Sequence, residues 1–429
     1  MHTSPPTRPA ASLAGVFARP PRSPLIVFSH LRWGFVFQRP QHLLTRLAKD
    51  FDVYFVEEPV FGEGAPALMS ATHQGGVEVL TPRTSVAATG FHDDQMEVLK
   101  ALLAEFTASR GIVQPLVWLY TPMALPLVAD LEPCAVVYDC MDDLASFKFA
   151  PAELVQRESA LMDLADVVFT GGPSLYEARK GRHPNLHCLP SAVDAAHFAP
   201  ASLDAASPQG RQAADLHRGL PRPRLGFFGV IDERLDLELV AGIADRRPDW
   251  QVVMVGPVVK IDPATLPRRP NIRWLGMQRY EALPHLVSCW DVCLLPFALN
   301  EATRFISPTK TLEYLAAGKP TISTPIHDVV SLYGAAVRVA STADDFVAEA
   351  EAALAQSDAD HRDWAVRAQA LVEGCSWDGT AATIARLLKQ YVPAALDAPA
   401  PQVEPDAVAP RVPPLRAERE ELPARPLSA

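Results

Sequence analysis

The chain has 429 residues, of which 48% are hydrophobic and 21% are charged, and its formal net charge is −11. At roughly 100–200 residues per domain, this length predicts two domains, and the composition is typical of a globular protein with a sizeable core. The acidic balance argues against nucleic-acid binding, which depends on Lys and Arg neutralising phosphates. No apolar run reaches the roughly 18–20 residues that span a bilayer.

Proline is concentrated near the two ends of the chain. Of the 41 prolines, six fall within residues 1–24 and nine within residues 393–429. Pro-rich segments of this kind do not bury enough apolar surface to fold. Residues 1–23 and 393–429 are therefore predicted to be disordered tails that flank a folded body.

The sequence predicts a cytoplasmic protein with reduced thiols. The apolar stretch from Leu13 to Ala18 is too short for a secretory leader, and prolines follow it directly. The six cysteines lie mostly in apolar runs and show no metal-type CxxC spacing. We therefore expect them to be buried and unpaired. They are Cys134, Cys140, Cys188, Cys289, Cys293 and Cys375.

From Pro24 onward, short apolar runs of strand length alternate with amphipathic helical stretches. The predicted strands lie at 24–30, 51–58, 115–122, 135–143, 166–172 and 186–190, and the helices include 39–50 and 152–165. Continuous apolar runs suit strands that are buried on both faces, and their alternation with helices favours a parallel, doubly wound sheet. Residues 24–197 are predicted to form this first domain.

The same alternation restarts after a segment rich in Ala, Pro and polar residues at 198–223, which is predicted to be a linker. The second set of strands is predicted at 224–230, 251–257, 271–276, 291–297, 321–325 and 335–340. Helices are predicted at 235–247, 307–318, 342–355, 358–373 and 376–391. We expect a second Rossmann-like domain at 224–375 and a terminal segment at 376–392. Paired α/β domains bind ligands in the cleft between the carboxyl ends of their strands.

Two motifs that would assign other functions are weak. The Gly62-x-Gly64-x-x-Ala67 sequence follows the second strand instead of the first and contains Pro66, which disfavours a dinucleotide-binding turn. The Asp358-Ala359-Asp360 triplet stands at a helix start, where Asp is an ordinary cap. The architecture alone leaves open a dehydrogenase, a periplasmic-type binding protein, an epimerase or a glycosyltransferase. The two motifs add little support for the dehydrogenase or for a metal-dependent sugar transferase with an Asp-x-Asp site.

The segment 291–325 carries the strongest signal. It contains an apolar strand, a polar loop and a helix predicted to begin near Pro308, with Ser307, Thr309 and Lys310 at the turn. The first amides of a helix form an anion site, and Lys310 adds a positive charge where a pyrophosphate would bind. Glu313 could accept two hydrogen bonds from a ribose. The spacing alone also permits the alternative in which Ser307 only caps the helix and Glu313 forms a surface pair.

This segment resembles the nucleotide-sugar signature of GT-B glycosyltransferases of the family-4-like, group 1 type, because Glu313 and Ala317-Gly318-Lys319-Pro320 match its pattern. The stretches 30–44, 227–236 and 255–262 resemble a bacterial subgroup that acts in teichuronic acid and other surface polysaccharides. The resemblance implies a GT-B fold with two doubly wound domains facing a cleft. It also implies transfer of a hexose from a UDP- or GDP-linked donor to a glycan or lipid-linked acceptor, without a metal or other cofactor. A lipid-linked acceptor would bring the protein to the inner face of the membrane, as a peripheral contact.

The resemblance also implies roles for individual residues. Gly229 and Arg234 match positions that approach the donor phosphates, with Ser307, Thr309, Lys310 and Glu313 as further donor contacts, and Lys260 is an additional candidate. Many relatives carry an Arg where this chain has Val230. Phe305 stands where the family often has the first of two glutamates, which leaves retention or inversion of the anomeric centre open.

Three residues of the first domain are candidates for a general base. Asp139 and Asp142 lie at the carboxyl end of the predicted strand 135–143, facing the predicted cleft, and neighbouring carboxylates raise one another's pKa. His30 ends the first strand. The alternative is that the carboxylates cap the next helix and the histidine is structural. An NDP-sugar epimerase and a non-catalytic partner in glycan assembly remain as rival functions.

Overall fold

The computed structural model describes residues 22–73 and 75–392. The predicted tails thus lie outside the described residues, apart from Arg22 and Ser23, and the first strand begins at Ser23. Within the described part of the chain, no helix combines the length and the apolar character that crossing a bilayer requires. All six cysteines are free, with Cys140 and Cys293 buried. The expectation of burial is not met by Cys134, which is exposed, or by Cys188, Cys289 and Cys375, which are half-buried.

The first domain is built on one large sheet. Its strands are β1 (Ser23–Ser29), β2 (Phe51–Glu57), β3 (Val60–Phe61), β4 (Ala67–Thr72), β5 (Val77–Thr84), β6 (Leu116–Leu119), β7 (Ala135–Cys140), β8 (Val167–Thr170) and β9 (Leu186–Cys188). Their order is β3-β5-β2-β1-β6-β7-β8-β9, and β4 pairs with β5. Every pairing is parallel except β4 with β5. The predicted runs did not include β3, β4 and β5.

Helices cover both faces of this sheet. They are α1 (Arg39–Leu47), α2 (Met96–Arg110), α3 (Leu154–Leu164) and α4 (Pro173–Arg179). Two apolar clusters result, one on each side of the sheet, and alternate residues of β1 contribute to them: Leu25 and Val27 to one, Ile26 and Phe28 to the other. This burial on both faces explains why β1 reads as an uninterrupted apolar run.

The second domain is a smaller sheet of the same design. Its strands are β10 (Arg224–Phe228), β11 (Gln251–Val255), β12 (Ile272–Trp274), β13 (Val292–Leu295), β14 (Thr321–Ser323) and β15 (Val337–Val339). All pairings are parallel, in the order β12-β11-β10-β13-β14-β15. The remaining helices are α5 (Ala195–Phe198), α6 (Pro208–Leu216), α7 (Leu237–Arg246), α8 (Leu283–Ser288), α9 (Lys310–Ala316), α10 (His327–Tyr333), α11 (Ala343–Leu354), α12 (Asp358–Glu373) and α13 (Trp377–Tyr391).

The segment at 198–223 differs from the predicted linker because part of it is helical. The Ser207 hydroxyl caps α6 by accepting a hydrogen bond from the amide of Gly210 at 2.9 Å. Ala213 of α6 is buried in the apolar core of the second domain. The segment therefore packs onto the second domain as it crosses between the two sheets.

The last helix returns to the first domain. Trp377, Ile384 and Leu388 of α13 are buried in the same apolar cluster as Leu25 of β1. The Trp377 ring also stacks on His42 of α1 at a centroid distance of 4.7 Å. The chain thus crosses between the domains twice, and α13 buries its apolar face against the first sheet.

The carboxyl ends of the two sheets face each other, and one group of hydrogen bonds joins the domains directly. The amide of Ser174 in the first domain donates to Asp328 Oδ1 in the second at 3.0 Å. The Ser191 hydroxyl donates to the Ser307 carbonyl at 2.6 Å. A Cβ at Gly172 would overlap the Asp328 carboxylate, so this approach requires glycine. These contacts fix one side of the cleft between the domains.

We predict that Gly226→Ala destabilises the second domain. Gly226 lies in β10 against the fully buried Trp290, and an added Cβ would overlap the indole ring. The free energy of unfolding should fall by about 3 kcal/mol, as measured by urea denaturation. The control is Gly374→Ala, since Gly374 ends α12 with φ −74° and its nearest contact would be an ordinary 3.7 Å. Equal stability of the two variants would contradict the prediction.

Candidate active site

A cavity of about 420 Å³ lies between the two domains. The first domain lines it with the loop that follows β1, with the start of α1 and with residues after β7, β8 and β9. The second domain contributes the turns after β10 and β11, the residues around Tyr280 and the start of α9. The residues that line this cavity include Phe37, Arg39, Asp142, Ser191, Gly229, Arg234, Tyr280, Ser307, Thr309, Lys310 and Glu313.

Gly229 and Lys310 form a close contact at the end of β10. Gly229 has a φ of 145°, and a Cβ at this position would overlap the Lys310 side chain. The next turn repeats the arrangement, because Gly256 also has a φ of 145° and a Cβ there would overlap the Gly229 carbonyl. Glycine is therefore required at both turns, and the Lys310 ammonium lies directly beside exposed backbone.

Glu313 lies one turn along α9 from Lys310. Its side chain is buried, and Oε2 has no hydrogen-bond partner among the described residues. Burial raises the pKa of Glu313 to about 7, and the positive charge of Lys310 acts in the opposite direction. Burial likewise lowers the pKa of Lys310, whereas Glu313 raises it. The opposite charges of Lys310 and Glu313 thus partly compensate each other. Both residues line the cleft, and Glu313 Oε2 can still accept a hydrogen bond.

The turn before α9 differs slightly from the sequence prediction. The helix begins at Lys310 instead of Pro308, although the Pro308 carbonyl already accepts from the amide of Thr311 at 3.2 Å. Thr309 takes the N-cap position without a side-chain cap. The Ser307 hydroxyl has no hydrogen-bond partner among residues 22–73 and 75–392. The alternative in which Ser307 only caps the helix and Glu313 forms a surface pair is not seen, because Ser307 does not cap the helix and Glu313 is buried.

Arg234 lines the cleft with its charge already paired. Its guanidinium binds Asp232 through contacts of 2.6 to 3.1 Å, and Asp232 is buried. The guanidinium also lies 5.3 Å from the ring centroid of Phe147, which comes from the first domain. Arg234 is thus held in one orientation at the boundary between the domains.

The two candidate carboxylates after β7 lie in different surroundings. Asp142 lines the cleft, and burial raises its pKa while the positive charge of Arg234 lowers it. Asp139 is fully buried, and both its oxygens accept from Arg39 Nε, at 2.9 and 3.2 Å. This corrects the prediction for Asp139: it is still within the strand and faces α1, so it does not reach the cleft as a base.

His30 and Lys260 lie outside the main cleft. Both line a second cavity of about 170 Å³, together with Glu58 and Phe147. Burial and the charge of Lys260 lower the pKa of His30 to about 4, so the imidazole is neutral at neutral pH. Lys260 is exposed, with Nζ 5.0 Å from the Phe147 ring centroid. Neither residue lines the main cleft with Lys310 and Glu313, so the structure does not bring these two candidates together with the others.

Sequence reasoning missed an aromatic contact across the mouth of the cleft. The Tyr280 ring of the second domain stacks on Phe37 of the first domain at 4.5 Å and on His197 at 4.3 Å. Its hydroxyl is buried without a hydrogen-bond partner in the described part of the chain. A signal was present in the loop after β1, where Trp33, Phe35 and Phe37 place three aromatic residues within five positions.

The chain has two facing sheets of mainly parallel strands, with a charged corner that contains glycines at the carboxyl end of the second sheet. This is the arrangement of a GT-B glycosyltransferase. Residues 222–356 match the family described as glycosyl transferases group 1. The chain is 26% identical over 285 residues to the Bacillus subtilis (strain 168) protein TuaH, which is named as a teichuronic acid biosynthesis glycosyltransferase. That match covers 60% of this chain and 68% of the relative. These matches confirm the resemblance to group 1 glycosyltransferases that was inferred from the motifs, and they support a glycosyltransferase enzyme.

Solved structures show the same fold at low identity. Sucrose-phosphate synthase from Thermosynechococcus elongatus aligns with a TM-score of 0.65 and 16% identity, covering 87% of this chain and 100% of that chain. Anabaena Alr3699/HepE in complex with UDP and glucose aligns with a TM-score of 0.63 and 14% identity, covering 86% and 100%. At these identities the likeness establishes the GT-B architecture.

We predict that Glu313→Gln changes how stability depends on pH. A carboxyl whose pKa rises from the ordinary 4.5 to about 7 on folding is favoured in its protonated form. The wild type therefore loses stability as pH rises from 4.5 to 7, and the loss is complete above that window. The neutral variant avoids this loss. The difference in free energy of unfolding between the variant and the wild type should therefore shift by about 2 kcal/mol in favour of the variant from pH 5 to pH 8. Urea denaturation at both pH values measures this, and an equal difference at both would contradict it.

Proposed function

We propose that this glycosyltransferase moves a hexose from a UDP-linked donor to a hydroxyl of a glycan or lipid-linked acceptor in bacterial surface-polysaccharide synthesis. The observation that carries the proposal is the corner formed by Gly229, Lys310 and Glu313. It combines the backbone of a glycine, the ammonium of Lys310 and the buried carboxylate of Glu313, whose Oε2 has no hydrogen-bond partner among the described residues. The backbone and the ammonium suit a diphosphate, and the carboxylate suits the hydroxyls of a ribose.

The charge distribution supports an anionic donor at this corner. The chain carries a net charge of −11, so attraction of a nucleoside diphosphate must come from local groups. Lys310 provides the positive charge beside the backbone of Gly229, and the paired Arg234 lies nearby on the same side of the cleft. Fixed cations of this kind can neutralise charge on a leaving diphosphate, the function that a metal ion has in other enzymes.

The comparisons favour UDP over GDP as the nucleotide and a cell-surface glycan as the product. Anabaena Alr3699/HepE, with the same fold, is a complex with UDP and glucose. The relative TuaH is named for teichuronic acid biosynthesis. Asp142 lies on the first-domain wall, opposite the donor corner, where an acceptor hydroxyl would approach. We propose it as the group that takes the acceptor's proton.

We predict that UDP binds to the wild type and binds more weakly to Glu313→Ala. Loss of a buried carboxylate that accepts hydroxyl hydrogen bonds should weaken UDP affinity about 10- to 100-fold. Isothermal titration calorimetry with UDP, GDP and UDP-glucose measures this. Glu105→Ala is the matched control, because Glu105 is exposed on α2 and does not line the cleft. Its affinity should equal that of the wild type.

The outcomes of this titration separate the proposal from its rivals. Tight binding of GDP without binding of UDP would overturn the choice of nucleotide. Indifference of the wild type to every nucleotide and nucleotide sugar would overturn the donor site itself. Equal losses in Glu313→Ala and Glu105→Ala would show that the effect is not specific to the corner.

We predict that Asp142→Asn slows catalysis without weakening donor binding. The amide has the shape of the carboxylate but cannot take a proton, so hydrolysis of UDP-glucose by water, measured as UDP release, should slow about 100-fold. UDP affinity should remain unchanged. Asp143→Asn is the control, because Asp143 binds Arg179 at 2.8 Å and does not line the cleft. Wild-type hydrolysis in Asp142→Asn would exclude this residue as the base.

A further inference from the structure

The guanidinium of Arg39 occupies an unusual position at the start of α1. It is 4% exposed and lines the cleft from the first-domain side. Nε donates to both oxygens of Asp139, and Nη1 donates to the Leu189 carbonyl at 2.9 Å. Three separate elements therefore hold one side chain: the helix that bears it, strand β7 and the segment after β9.

The third nitrogen, Nη2, is buried and has no hydrogen-bond partner among residues 22–73 and 75–392. A buried donor on a charged group strongly favours a partner, because burial has removed it from bulk water. With Nε and Nη1 occupied, Nη2 is the nitrogen without a partner in a side chain that lines the cleft. The arrangement thus has the form of a fixed donor prepared for a ligand.

The local charges indicate what kind of ligand atom fits. Asp139 offsets the charge of Arg39, so the pair as a whole is neutral. Asp142 lies close enough for Arg39 to lower its pKa, and its carboxylate would repel a phosphate at this place. A hydroxyl suits both groups, since its oxygen accepts from Nη2 and its hydrogen is free to donate to a carboxylate.

We propose that Arg39 Nη2 donates a hydrogen bond to a hydroxyl of the sugar being transferred, and that Asp139 is the residue that positions this guanidinium. The inference rests on the proposed function, because it takes a nucleotide sugar as the donor. Arg39 would thus contact the sugar from the first-domain wall of the cleft, opposite the corner of Gly229, Lys310 and Glu313. Asp139 thereby acts on the substrate only through Arg39.

The test compares affinity for UDP with affinity for a UDP-sugar. Calorimetry on the wild type first identifies which of UDP-glucose, UDP-galactose and UDP-N-acetylglucosamine binds most tightly. That sugar nucleotide and UDP are then titrated into Arg39→Gln, Asp139→Asn and the double variant Arg39→Gln/Asp139→Asn. Unfolding midpoints are measured for all four proteins.

Arg39→Gln leaves Asp139 buried without its cation, so it should lower the unfolding midpoint. The double variant removes both charges and should recover most of that loss. Affinity for the UDP-sugar should fall about tenfold or more in both variants that lack Arg39, whereas affinity for UDP should stay within about twofold. Asp139→Asn keeps the guanidinium but loosens it, so its loss of UDP-sugar affinity should be smaller.

Two results would overturn the inference. If the double variant binds the UDP-sugar as the wild type does, Arg39 has only a structural role. If affinities for UDP and the UDP-sugar fall by the same factor, Arg39 does not contact the sugar. Failure of the proposed function looks different, because the wild type itself would then bind neither UDP nor any of the three UDP-sugars.

Discussion

The approach of Lys310 to the backbone of Gly229 is the contact on which the active-site geometry depends. It brings the start of α9 against the end of β10, which only a glycine with a φ of 145° permits. Glu313, one turn further along α9, is thereby placed at the same corner. This arrangement places a carboxylate and an ammonium in a poorly solvated site, which is unfavourable for both charges. Burial accordingly raises the pKa of Glu313 and lowers the pKa of Lys310. In the proposed function, a bound diphosphate and ribose would supply the partners that these groups lack.

The arrangement of the domains follows from a few contacts around this corner. Ser191 donates to the Ser307 carbonyl directly before α9, and Tyr280 stacks on Phe37 at the other side of the cleft. Phe305, in the place where the family often has a glutamate, packs against the apolar cluster of the first domain. Its replacement of a carboxylate is therefore a packing feature of this chain. Phe305 thus adds an apolar contact between the two domains.

Much of the fold could be predicted because doubly wound sheets have a strong local signature. Strands such as β1, β10 and β13 are buried on both faces, so they appear as apolar runs, and their bounds fall within one or two residues of the prediction. Strand β5 was missed because Pro82 interrupts its pattern and it lies near the edge of the sheet. Helix α6 was missed because its small and polar residues resemble a linker, and its helical state depends on packing against the second domain.

The candidate site was only partly predictable, and the reason is clearest at β7. Asp139 and Asp142 are three residues apart in a segment that the sequence treats as one carboxylate cluster. Strand pairing continues through Asp139 and Cys140, so the first carboxylate is directed into the domain and meets Arg39, which is 100 residues earlier in the chain. Asp142 lies beyond the last paired residue and reaches the cleft. Which carboxylate is buried in the domain and which faces the cleft is thus decided by where strand pairing ends and by a distant arginine. Residue type and spacing carry neither piece of information.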